Sequence, residues 1–111
     1  MTPAAALTML ARQLAEGGET VTLRRYTNPT LTTYEDTDPF LAKVIQVTPE
    51  EIANGVSANK RRAIISPADI GDGAVAVNKD AVIVDGRKYT ITAWSPIRIG
   101  TTPVRINAEL G

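Results

Sequence analysis

The stretch that decides the fold is AVIVDGRKYTITAW, residues 81–94, in which two strand-like runs flank a short turn. The Asp85-Gly86 pair favours a type I′ turn, because both central residues of that turn need positive φ angles. A two-residue loop of this kind sets Val82 opposite Tyr89. Alternation then places one row of side chains on the core face: Val82, Val84, Tyr89, Ile91 and Ala93. The stretch therefore predicts an antiparallel hairpin with one buried face.

The N-terminal segment has the pattern of a short amphipathic helix over residues 3–16. Thr2 is suited to the N-cap, and Pro3 is favoured at the first helical position. Apolar residues then recur at helical spacing: Leu7, Leu10, Ala11 and Leu14. The Gly17-Gly18 pair is a stop signal. Such a helix is marginal alone in water, so it must pack either on its own domain or on a neighbour.

Most of the remaining chain is rich in β-formers. The further predicted strands cover residues 19–26, 40–48, 61–66 and 102–110. Residues 27–39 and 67–73 are predicted loops, and Ser95-Pro96 is expected to end the strand that follows Asp85-Gly86. We therefore predict a mainly β fold, a small antiparallel β-barrel or sandwich of about six strands with one N-terminal α-helix. The chain of 111 residues is expected to be a single domain, with the helix in residues 1–17 and the barrel in residues 19–110.

Composition excludes several kinds of chemistry. The chain has no His and no Cys, which removes Ser-His-Asp and Cys-His catalysis, thiolate zinc sites and disulfides. Lys+Arg and Asp+Glu are balanced at 12 each, so no global charge points to nucleic acid. No stretch approaches the ~20 apolar residues of a membrane span, and no membrane partner is expected.

The acidic and glycine-rich stretches are predicted to be loops. Glu35-Asp36-Thr37-Asp38 and the Asp69…Asp72 pair lack the spacing of a calcium loop. Gly71-Asp72-Gly73 is too short for a nucleotide-binding fingerprint. We therefore predict no catalytic residue, no metal site, no cofactor and no enzymatic activity.

Two basic clusters are candidates for binding. Lys60-Arg61-Arg62 lies at the start of a predicted strand, where it protects a strand edge or contacts phosphates or an acidic partner. Arg24-Arg25 is the second pair, and adjacent strand residues point to opposite faces. In the hairpin register Trp94 falls on the face of Thr90 and Thr92, where it is either a barrel-end plug or an interface anchor.

The order of segments resembles the small head-completion, or head–tail joining, proteins of tailed bacteriophages and gene transfer agents. The resemblance covers about residues 7–109 and rests on a succession of pieces: LAEG at 14–17, TVTLRRY at 20–26, VIQVTPEEI at 44–52, KRRAIIS at 60–66, KDAVIVDGRKYTI at 79–91 and PIRIG at 96–100. It implies a small β-barrel with a helix packed beside it.

The resemblance also implies a structural role in the neck of the virion. Copies of the chain, monomeric in isolation, would form a ring beneath the portal–adaptor complex, help to retain packaged DNA and provide the docking surface for tail proteins. The protein would be made in the cytoplasm of the bacterial host, and any contact with packaged DNA would be non-specific. Two alternatives stay open: a tail-terminator or minor tail protein, and a small-barrel protein that binds nucleic acid.

Candidate site residues follow from these interpretations. The resemblance implies that the loop over residues 49–59 faces the ring lumen near the DNA. The lumen candidates are Pro49, Glu50, Glu51, Asn54, Asn59, Lys60, Arg61 and Arg62. The interface candidates are Arg24, Tyr34, Trp94, Leu7, Leu10 and Leu14.

Overall fold

The computed structural model describes residues 2–46, 53, 55, 61–70 and 75–111. Helix α1 and a short 3-10 helix accompany seven strands within these ranges. Their bounds are α1 Pro3–Gly17, β1 Glu19–Tyr26, β2 Tyr34–Asp36, β3 Phe40–Gln46, β4 Arg61–Ile65, the 3-10 helix Pro67–Asp69, β5 Ala81–Val84, β6 Arg87–Ile99 and β7 Thr102–Leu110. The predicted strand 40–48 extends beyond Gln46 into residues that lie outside the described ranges.

The strands form a closed antiparallel barrel. Their order in the sheet is β2-β1-β3-β4-β7-β6-β5, and a further pairing of β5 with β1 closes six of them into a ring. Strand β2 is the extra member and pairs with the end of β1. The mainly β class with one N-terminal helix is confirmed, and closure decides in favour of the barrel over the sandwich. Closure also pairs the edges of β1 and β5 that an open sheet would leave free.

The predicted hairpin register is confirmed. Val82 pairs with Tyr89 and Val84 pairs with Arg87, as the two-residue turn requires. Asp85 and Gly86 have φ angles of 52° and 76°, which are the positive values of a type I′ turn. Local turn chemistry therefore determined how these two strands meet.

The predicted face of Ala93 and Trp94 was wrong, because β6 contains a β-bulge. The pairing with β7 shifts between Ile91 and Ala93, so that Ala93 lies opposite Glu109 and Trp94 lies opposite Ala108. One extra residue in a strand exchanges the two faces beyond it. Ala93 consequently turns outward, and Trp94 packs against the core.

The predicted strand end at Ser95-Pro96 was also wrong. Strand β6 runs through Pro96 to Ile99, while its pairing with β5 ends at Thr90. Pro96 thus lies where β6 pairs with β7 alone, and an edge position tolerates a residue without an N–H. The pairing of β7 with β4 likewise stops at Ile106. The end of the β6–β7 hairpin, residues 96–105, is therefore a two-stranded ribbon that extends past the paired strands.

A strand also lies inside the predicted loop over residues 27–39. Strand β2 is only three residues long, and it pairs antiparallel with residues 24–26 at the end of β1. Cross-strand contacts hold it: Arg24 forms an ion pair with Asp36, and Tyr26 packs edge-on against Tyr34. Such contacts depend on tertiary structure, so propensity within the segment alone could not indicate the strand.

The barrel interior is filled by aliphatic side chains from β1, β3, β4, β5, β6 and β7. The largest side chains that are almost completely buried are Leu23, Ile65, Ile91, Ile106, Leu110, Val21 and Val82. Helix α1 packs against β3 and β7 of the same chain. Its buried residues, Leu10 and Leu14, are 5% and 3% exposed. The helix therefore packs Leu10 and Leu14 of its predicted apolar stripe on its own barrel, whereas Leu7 is half-buried and Ala11 is exposed.

The junction between α1 and β1 predicts opposite effects for two adjacent glycines. A Cβ on Gly18 would lie 2.5 Å from the carbonyl oxygen of Leu14 and 3.2 Å from that of Ala42, whereas a Cβ on Gly17 meets nothing within 4 Å. We expect Gly18→Ala to lower the free energy of unfolding by about 1–3 kcal/mol. Gly17→Ala, the matched control, should be neutral or raise it by up to about 1 kcal/mol. Urea unfolding of both variants measures this, and equal values would contradict the predicted clash.

Candidate interaction surfaces

The outer face of β1 and β2 carries a cluster of aromatic and charged side chains. The Arg24 guanidinium lies 3.7 Å from the ring centroid of Tyr34, in a cation–π geometry. It also donates two hydrogen bonds to Asp36, at 2.9 and 3.1 Å. Tyr26 meets Tyr34 edge-on with ring centroids 5.9 Å apart. Lys88 donates to the Tyr26 hydroxyl at 3.3 Å.

This aromatic cluster holds an exposed tyrosine in a fixed position. The hydrogen bond to Asp36, together with the charge of that carboxylate, raises the pKa of Arg24 above its ordinary value, although burial acts in the opposite direction. The guanidinium is thus charged at every relevant pH. Tyr34 remains 49% exposed on top of it. Tyr and Arg are among the residue types that most often dominate binding energy at protein interfaces, so Arg24 and Tyr34 stay candidates for one.

The other interface candidates are less accessible. Leu10 and Leu14 are buried between α1 and the barrel, and Leu7 is half-buried. Trp94 is half-buried and packs against the core. Its indole Nε1 is buried and has no hydrogen-bond partner in the described part of the chain. Trp94 therefore serves mainly as a barrel plug, and the apolar stripe of α1 serves mainly to anchor the helix.

The predicted lumen site is placed only in part. Pro49, Glu50, Glu51, Asn54, Asn59 and Lys60 lie outside the described residues. Arg61 begins β4, is half-buried and lies 5.9 Å from the ring centroid of Tyr89. It lines an open cavity of about 440 Å³ with Arg87, Lys88, Tyr89 and Gly111. Arg62 is exposed and lines a different surface, so the two arginines do not share one site.

A groove that sequence reasoning missed runs over the outside of β3, β4 and β7. Two neighbouring cavities of about 490 and 390 Å³ share Ile64 and Arg105, and we name their union the outer groove. The first lies beside α1 and includes Lys43, and the second extends to Ser95 on β6. Alternation along the strands was a usable signal for this surface, because the outward positions combine aliphatic and basic residues.

The acidic stretches do not form a metal centre in the described part of the chain. No group of three or more Asp or Glu side chains there is arranged to hold a metal ion. Asp69 ends the 3-10 helix, where burial raises its pKa, and Asp72 lies outside the described ranges. Among the described helices, none has the length and apolar character needed to cross a membrane.

Comparison with known proteins adds no family to these observations. No protein-family model matches the chain, and no curated protein matches it. Its function is therefore inferred from the residues, the barrel and the surfaces described above.

Proposed function

We propose that the protein is a structural component of the head–tail connector of a tailed phage or gene transfer agent. Copies form a ring beneath the portal–adaptor complex, help to retain packaged DNA and present a docking surface for the tail. The observation that carries the proposal is the architecture, a small closed barrel with one N-terminal helix packed on its own flank. That arrangement matches the fold implied by the resemblance of segment order.

The distribution of surfaces supports assembly into a ring. A head-to-tail ring needs two different patches on each subunit, because each contact joins unlike surfaces. In the closed order β1-β3-β4-β7-β6-β5, strand β1 lies across the barrel from β7, and β5 lies across from β4. The aromatic cluster on β1 and β2 is thus across the barrel from the β7 side of the outer groove, whose other side lies on β3, the neighbour of β1. A subunit of this kind can offer one patch to each neighbour.

The basic end of the barrel supports a contact with DNA. Strand β3 ends at Gln46 and β4 begins at Arg61, so the segment predicted to face the lumen joins the barrel beside Arg61. Arg87 and Lys88 lie at the same open cavity. Cations gathered in this way bind backbone phosphates without reading sequence, and salt weakens such binding steeply.

The test is to add the purified protein to portal–adaptor complexes of the particle that encodes it and to image the neck by cryo-electron microscopy. We expect a ring of barrel-sized densities between the adaptor and the tail, and full heads that keep their DNA only when the protein is present. Absence of this density from necks to which tails are attached would overturn the proposal.

A deletion separates the proposed role from the closest alternative. Particles without the protein should accumulate as full heads that leak DNA and carry no tails. Tail tubes of abnormal length on normal heads would instead identify a tail terminator, and the connector role would then be rejected.

A further inference from the structure

The outer groove has an apolar floor and a basic rim. Ile64 and Ala93 lie on its floor, and Ile45 is 37% exposed beside them. Its cations outnumber its carboxylates: the basic residues are Lys43, Arg62 and Arg105, and the acidic residues are Glu16 and Glu109. The Nε of Arg105 donates to Asn107 Oδ1 at 2.9 Å, and Arg105 forms no ion pair within the described part of the chain. The groove is therefore suited to a segment that is acidic and partly apolar.

The same chain exposes a segment with that chemistry. Residues 31–38, LTTYEDTD, contain three acidic residues and no basic residue, and we name them the β2 segment. Leu31 and Tyr34 are 42% and 49% exposed. Asp36 is paired with Arg24, whereas Glu35 and Asp38 are exposed and form no ion pair within the described part of the chain. The segment thus offers two apolar side chains together with two uncompensated carboxylates.

Among the described residues, no ion pair joins the β2 segment to the groove of the same molecule. The β2 segment extends from β1, and β1 lies across the closed barrel from β7, whose outer face forms part of the groove. A contact of the segment with the β7 side of the groove joins two copies, and it is head-to-tail because the two surfaces differ. Complementary charges at such a contact fix its register and exclude other pairings.

We infer that the outer groove binds the β2 segment of a second copy of this chain. The inference rests on the proposed ring and adds the contact that builds it. Tyr34 and Leu31 pack on the apolar floor of the neighbouring copy, and Glu35 and Asp38 face Lys43 and Arg105 at its rim.

The contact uses side chains rather than strand addition. Strand β2 is only three residues long, and Pro96 occupies the free edge of β6 next to the groove. Short edge strands and edge prolines are poor templates for a further strand. The recognition is thus made by the apolar floor and the charges.

Cysteine trapping tests the contact directly, because the chain contains no Cys. Ser95→Cys places a thiol in the groove, and Thr33→Cys places one in the β2 segment. A disulfide forms only when the two Cα atoms approach within about 7 Å. Mixed under mild oxidation at low salt, these two variants should give a disulfide dimer roughly tenfold above the background of either variant alone. Thr33→Cys mixed with Arg87→Cys is the matched control. Arg87 is the first residue of β6 and lies at the end of that strand away from the groove.

Charge reversal gives the second arm of the experiment. Lys43→Glu on the groove copy should remove most of the trapping, and Glu35→Lys with Asp38→Lys on the segment copy should do the same. The combination of both reversals should restore trapping, because the charges are again opposite. Circular dichroism of each variant verifies that it is folded.

The outcomes separate this contact from the proposed role. The docking of the β2 segment would be overturned if the yield of disulfide dimer were no greater than in the control pair. It would also be overturned if none of the charge reversals changed that yield. A ring at the neck without trapping would leave the connector role standing and reject this contact. Strong, charge-dependent trapping without any density at the neck would support the contact and reject the connector role.

Discussion

Replacement of Asp80 by alanine is expected to lower the free energy of unfolding by about 3–5 kcal/mol. Asp80 is 4% exposed, and its two carboxylate oxygens accept hydrogen bonds from the backbone N–H groups of Tyr26 and Ala76, at 3.0 and 2.8 Å. The side chain joins the end of β1 to the turn that precedes β5. Alanine would remove both acceptors and leave two N–H donors without a partner. Denaturant unfolding measures the loss.

A second aspartate provides the control for this experiment. Asp38 is exposed and makes no hydrogen bond or ion pair in the described part of the chain, so Asp38→Ala removes the same charge without removing a buried acceptor. Its effect should stay within about 0.5 kcal/mol. If Asp80→Ala destabilised no more than Asp38→Ala, the two hydrogen bonds would not hold the turn to β1.

Truncation of Leu14 to alanine is expected to cost about 2–5 kcal/mol, because it empties a buried site between α1 and the barrel. Leu14 is 3% exposed, and α1 reaches the barrel through its contacts with β3 and β7. The helix is too short to be stable without that contact. Thermal and urea unfolding measure the change, and far-ultraviolet circular dichroism shows whether the helix is lost before the barrel.

Met9 on the same helix is the matched control. It is 47% exposed, so Met9→Ala removes a side chain of similar size from a largely solvated position. We expect a cost below about 1 kcal/mol. Similar costs for the two truncations would mean that the helix is not anchored by its buried stripe, and the packing of α1 on its own barrel would need revision.

Features set by neighbouring residues were predictable from the sequence. The turn at Asp85-Gly86 fixed the register of β5 and β6, because its φ angles admit few other residues and its length leaves one pairing. The N-cap at Thr2, whose hydroxyl accepts from Ala5, was predictable for the same reason. Each of these signals acts over a few residues and needs no knowledge of the rest of the fold.

Features set by distant residues were not predictable in this way. The bulge near Thr92 depends on how β7 pairs with β6, and no residue type in the strand indicates it. The continuation of β6 through Pro96 depends on the earlier end of β5. The choice between barrel and sandwich depends on whether β1 meets β5. Pairing between separated segments decides all three.

The same distinction between neighbouring and distant residues applies to the candidate surfaces. Arg24 and Tyr34 were predicted as interface residues, and the structure brings them together at 3.7 Å on an exposed face. The outer groove was missed, because its residues come from α1, β3, β4, β6 and β7 and become neighbours only after the barrel closes. Single exposed side chains such as Tyr34 can be named from the sequence, whereas a concave surface built from five elements cannot.

Because β1 pairs with β5, the barrel cannot close during synthesis until β5 has been made. Leu23 in β1 pairs with Val82 in β5. Strand β1 is synthesised first, so the edge that pairs with β5 stays uncovered until β5 has been made. Synthesis proceeds at about 5–20 residues per second, and pairings between distant segments form slowly. A nascent chain of this protein therefore carries an uncovered β1 edge for seconds, and a product of interrupted translation that lacks β5 keeps that edge open to aggregation.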